Sequence, residues 1–130
     1  MPQGMAAPYP LVNAQVINGT GTYNSIWQDI SGGVAFAIFY KASSVLGSVK
    51  VTIYLDVSPY SASTLAKAST DASLYVSETV VTDYATESTL VRYDPTILGT
   101  PAMSARIRVA GVSGNQTDTI VNVILVRYGL

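Results

Sequence analysis

The chain has 130 residues with no cysteine and no histidine, which removes disulfides, thiolate chemistry, the commonest metal ligand and the usual general base near neutral pH. Seven basic residues stand against eight acidic ones, a net charge of −1, so there is no electrostatic footprint for nucleic acid or for an anionic membrane. Charged residues make up 12% of the chain, against roughly 25% in ordinary soluble domains.

Apolar residues account for 48%, so the outer surface must be covered by uncharged groups. Fourteen serines and thirteen threonines do much of this. A monomer so poor in charge tends to associate near its isoelectric point, and the expectation is that part of its surface is subunit interface. The longest strongly apolar stretches, Val34–Tyr40 and Val123–Val126, fall far short of the roughly 20 residues of a membrane span. Met1–Pro10 has neither the basic start nor the apolar centre of a secretory signal.

Residues 1–15 carry three prolines before position 11 and little periodicity; they are expected as an extended N-terminal arm, either lying across a neighbouring subunit or a frayed terminus. Residues 16–130 are expected as a single β-sandwich domain. The first strand is read at Asn13–Asn18 and the next at Tyr23–Ile30, with the only tryptophan, Trp27. After the turn Ser31-Gly32-Gly33 comes Val34–Lys41, apolar on both faces and therefore central. In Val49–Val57, Val49, Val51, Ile53, Leu55 and Val57 alternate with Lys50, Thr52, Tyr54 and Asp56, the pattern of a half-buried antiparallel strand. Ser58–Asp71 is read as a loop with one or two helical turns, since Ala62, Leu65, Ala66 and Ser69 follow helical spacing. Strands resume at Ser73–Thr82, Ser88–Tyr93 and Met103–Ala110. A hairpin-type loop follows, and then Asp118–Tyr128, again apolar on both faces. About eight short strands rich in Val, Ile, Thr and Tyr predict an all-β fold. The expected architecture is a two-sheet antiparallel β-sandwich, of jelly-roll or Greek-key type.

Chemistry is sparse. The eight carboxylates are Asp29, Asp56, Asp71, Glu78, Asp83, Glu87, Asp94 and Asp118; most lie singly at strand ends or turns, where aspartate serves as a turn residue. Asp83 and Glu87 share a loop, yet a general acid–base pair needs two carboxylates facing one pocket. Lysines with serines nearby are a coincidence expected in so serine-rich a chain, and no nucleophile elbow or phosphate loop occurs. The Gly111–Asp118 loop offers calcium one carboxylate and Asn115, fewer ligands than such a site needs. The sequons at Asn18 and Asn115 are read as chance. No catalytic residue, metal site or cofactor is expected. The nine tyrosines suit interfaces, with Tyr54 on the polar face of its strand. Pro8, Tyr9 and Pro10 in the arm, Tyr54, and Arg106 and Arg108 on the polar face of their strand are the candidate partner contacts.

Three segments, VKVTIYLDVS (49–58), ARIRVAG (105–111) and GNQTDTIVNVILVRY (114–128), resemble the strands and closing hairpin of capsid decoration and accessory virion proteins of tailed bacteriophages. The resemblance covers about half the chain. It implies a jelly-roll-like structural protein, a homo-oligomer and often a trimer, seated on a capsid in a virion assembled in the host cytoplasm. Its partners would be itself and other virion proteins, with neither nucleic acid nor membrane. The alternative is a receptor- or carbohydrate-binding sandwich of the tail, fibre or adhesin type.

Overall fold

The computed structural model describes residues 6–30, 35–67, 72–84, 90–95 and 102–128. The expected turn at 31–33, the Glu87 loop and the 96–101 connection lie outside them. One sheet consists of β1 (Ala6–Ile17), β4 (Ala35–Ser43), β7 (Val91–Tyr93) and β9 (Thr119–Tyr128), in the order β1-β9-β4-β7. The other consists of β2 (Thr22–Asn24), β3 (Gln28–Asp29), β5 (Val51–Ser58), β6 (Val76–Tyr84) and β8 (Ser104–Gly111). Its order is β2-β8-β5-β6, with β3 also on β8. All pairings are antiparallel.

β2 and β3 form one interrupted strand, so the sandwich has eight strands among the described residues, and of the successive strands only β5 and β6 share a sheet. This is the winding of a jelly roll. The core lies between the sheets, where Ile38 and Tyr40 of β4 and Val123 and Leu125 of β9 meet Ile53, Leu55, Ile107 and Val109 of β5 and β8. Each such side chain contributes about 1.5–3 kcal/mol by leaving water.

Four expectations change. Residues from Ala6 onward, read as part of an arm, are a strand along β9, from Ala6↔Tyr128 to Ile17↔Thr119. Pro8 and Pro10 lack donors, but they are two apart, so both gaps fall on one side of an edge strand. Two register shifts kink β1, and Ala14 sits there at φ 49°.

The expected strand 23–30 is broken by one extra residue, since Asn24 pairs with Arg108 and Gln28 with Ala105. Ser25 bridges the break: its N–H donates to the Ile107 carbonyl at 2.8 Å, and its Oγ accepts from the Ile107 N–H at 2.9 Å. The bulge re-aims its side chains, leaving Ile26 exposed and Trp27 buried.

The polar face of β5 is also covered, with Thr52, Asp56 and Ser58 all buried. The β5–β6 connection, with helix α1 (Ala62–Lys67) and a 3₁₀ turn at Ala72–Leu74, folds back over it. Ser58 Oγ donates to the Leu74 carbonyl at 2.6 Å, Ser104 Oγ to that of Tyr60 at 2.8 Å, and Asp29 Oδ1 accepts from the Ala62 N–H at 2.8 Å.

Finally, the loop read as a hairpin joins β8 to β9, which belong to different sheets. Gly and Asn signal a reversal of the chain, and that signal is the same for a crossover.

Candidate functional site

The outer face of the second sheet holds a cluster of charged and aromatic side chains. Antiparallel register sets Asp56 opposite Arg106 and Tyr54 opposite Arg108, with Ser77 of β6 beside Asp56. One oxygen, Asp56 Oδ2, accepts from Arg106 Nε (3.0 Å), Arg106 Nη2 (2.9 Å) and Arg108 Nε (2.7 Å). The other, Oδ1, accepts from Ser77 Oγ at 2.6 Å. The Asp56 side chain is 0% exposed, that of Arg106 7% and that of Arg108 30%, so the network runs from buried to half-open.

Aromatic faces complete the cations' surroundings. The Arg106 guanidinium lies 4.6 Å from the Trp27 ring centre and 5.0 Å from that of Tyr75, and the Arg108 guanidinium 4.6 Å from that of Tyr54. Trp27 and Tyr75 meet at 5.5 Å with planes tilted by 57°. Each cation–π contact of this kind adds about 0.5–2 kcal/mol, most where water is excluded. A groove of about 370 Å³ opens beside the network, between β2, Tyr54 and Tyr75.

At one end of the sandwich the β1–β2, β4–β5 and β8–β9 loops are tied together. Asn115 Nδ2 donates to the carbonyls of Ile17 (3.3 Å) and Gly19 (2.9 Å), and its Oδ1 accepts from the Lys50 N–H and Thr119 Oγ1, both at 2.8 Å. Asp118 accepts from Ser44 Oγ and from the Val45 N–H. The Ser44 hydroxyl leads in holding the Asp118 carboxyl below its ordinary range, and the Val45 amide adds to it. So fixed, the β4–β5 loop presents Val45 at 95% and Leu46 at 61% exposure. Beside it Val16 and Ile120, also exposed, line a cleft of about 450 Å³.

The six candidate contact residues divide between the two sheets. Pro8, Tyr9 and Pro10 lie on edge strand β1, with the prolines exposed and Tyr9 half-buried. Tyr54, Arg106 and Arg108 share the outer face of the second sheet, where Arg106 is enclosed within the chain and Tyr54 and Arg108 reach its rim. Sequence reasoning missed Trp27, Asp56, Tyr75 and Ser77 in this cluster, and Val45, Leu46, Val16 and Ile120 at the loop end. The signal available for Asp56 was its place among polar residues alternating along a strand.

No protein-family model matches the sequence, nor does any curated protein. In fold the chain is similar to a chain of the infectious bursal disease virus Gx strain, with a TM-score of 0.51 at 9% identity over 96% of this chain and 32% of that one. The chain thus spans about a third of the length of that protein. Weaker likenesses are to tomato aspermy virus (TM-score 0.45, 9% identity, 98% and 78% covered) and to the tailspike protein 4 of bacteriophage CBA120 (0.41, 13%, 100% and 18%). At these identities the likeness is one of fold.

Proposed function

We propose that the chain is a structural virion protein, a decoration-type module that attaches to a shell by protein–protein contacts and acts as a homo-oligomer, with a trimer the first form to test. The observation that carries this reading is the apolar loop end. Val45 and Leu46 stand in water on a loop pinned by Asp118. Exposed apolar side chains that are clustered and rigidly held mark interaction surfaces, and preorganisation lowers the entropic cost of docking. The low charge of the chain and its fold likeness to a virus chain support the same reading. Pro8, Tyr9 and Pro10 on the sheet edge are proposed as a second contact, and repetition on a lattice would multiply modest contacts into firm attachment. Of the described carboxylates, Asp29, Asp56, Glu78, Asp94 and Asp118 each accept from a donor within the chain, an arrangement that fits a structural role.

The test combines light scattering of the purified chain with co-sedimentation on shells of its own virus. The parent should exceed monomer mass or travel with the shells. Changing Val45→Ser together with Leu46→Ser should weaken that association about tenfold or more while leaving the melting temperature in place. A monodisperse monomer that ignores shells, or a double variant that binds like the parent, would refute the reading.

A further inference from the structure

The Asp56 network is unevenly balanced. Two guanidinium groups meet one carboxylate, so Arg106 (+1), Arg108 (+1) and Asp56 (−1) leave +1 on the three-residue network itself. Both arginines bond to the same oxygen, through Nε in each case and also through Nη2 for Arg106; Arg108 Nη2 reaches Ser77 Oγ at 3.3 Å. Neither Nη1 has an acceptor among the described residues. Trp27 Nε1, on the ring under Arg106, is buried and likewise without an acceptor among them. A purely structural ion pair gains most when all its donors are filled; here no described protein group fills the Nη1 of either arginine lining the groove, while Trp27 lines a neighbouring cleft with Arg106.

We infer that this groove is a binding site for an acidic sugar, a hydroxyl-rich ring bearing one carboxylate. The excess charge of one matches a carboxylate, whereas a doubly charged phosphate would bring more negative charge than the site can pair. Planar guanidinium donors suit carboxylate geometry. Thr22, Asn24 and Tyr54 on the rim offer hydroxyl and amide groups that both donate and accept, as a polyol requires. At about 370 Å³ the groove lies at the small end of ligand sites, which run from roughly 300 to 1,000 Å³. Arg106, held against Trp27 and Tyr75, is the fixed floor, and Arg108 is the partly exposed contact at the rim. The inference does not depend on the proposed virion role, because it uses a different surface from the apolar loop end.

The test is a titration of the ¹⁵N-labelled chain with glucuronate and with N-acetylneuraminate, followed through amide shifts, alongside glucose, inorganic phosphate and sodium chloride. An acidic sugar should shift the amides of Asn24, Arg108 and Ala110 in a saturable way, and added salt should weaken it. Glucose at the same concentration should bind at least about tenfold more weakly, as expected for loss of a charge-assisted hydrogen bond. Arg108→Gln should weaken acidic-sugar binding by a similar factor. Arg108 also supports Asp56, so Asn24→Ala at the exposed rim is the second variant; it leaves the ion network untouched and should weaken binding several-fold. Absence of saturable shifts at these amides with either acid overturns the inference. So does an equal response to phosphate or chloride, or unchanged acidic-sugar affinity in Asn24→Ala.

Discussion

A carboxylate out of reach of water persists only where its oxygens are filled, and Asp56 receives donors from Arg106, Arg108 and Ser77. Replacing it by asparagine would leave two guanidinium groups facing a neutral amide in a mostly dry setting. Breaking a buried pair from one side costs about 3–5 kcal/mol, and Asp56→Asn should lower the urea midpoint accordingly with an unchanged slope. Arg92→Gln at the exposed Arg92–Asp94 pair, whose side chains are 53% and 61% exposed, should move the midpoint very little. The contrast shows how far single residues were legible. Aspartate is common both in turns and on polar strand faces, and the alternation of Val49–Val57 places Asp56 on the face away from the core. What lies above that face depends on Trp27 and Tyr75, 29 and 19 residues away in the chain by their numbering, and no local pattern encodes that meeting.

Between elements, two contacts can be tested. Tyr93 of β7 donates its hydroxyl to Glu78 of β6, joining the edges of the two sheets. Burial, followed by the hydrogen bond to Glu78 and its negative charge, pushes the phenol from its ordinary value of 10.0 up to about 12. A raised phenol favours the protonated folded state, so its contribution is complete below pH 10 and is lost as pH rises through about 12. Ultraviolet titration should show late phenolates from Tyr93 and from Tyr40, which burial also raises, and Tyr93→Phe should remove its own late step and the stability loss belonging to it. At Gly111, an added Cβ would stand 1.7 Å from the Gly19 carbonyl oxygen, where β8 ends against the β1–β2 turn and the Gly111 N–H donates to Gly21 at 2.8 Å. Gly111→Ala must therefore push backbone apart, and a cost of about 1–3 kcal/mol or more is expected by thermal melting. Strand positions were legible wherever side chains alternate between core and surface, as in β5 and β8. The interruption at Ser25 was not, because a bulge keeps strand-like residues while shifting the register by one.

For the whole molecule, the sequence carried the class and the strand number, through the spacing of apolar runs and turns. The order of strands was beyond it, since β8 and β9 are separated by a loop that would serve a hairpin equally well. The most consequential revision concerns residues 1–15. Leu11 and Val12 of β1 are buried in the core, so deleting 1–15 should destabilise the fold itself by several kcal/mol, as losing two large buried side chains implies. Changing Pro8 and Pro10 to alanine, with Tyr9 kept because it packs against the core, keeps the strand and isolates its proposed contact role; that double variant should melt near the parent yet sediment less with shells. The position of β9 between β1 and β4 also has a consequence for synthesis. On the ribosome, β1 and β4 emerge long before the strand that separates them, and each waits with an open edge. Pairings so distant in sequence form late and slowly, and waiting edges invite other nascent chains. Yield of soluble chain should therefore respond to growth temperature and chaperone supply more strongly than its final stability would suggest.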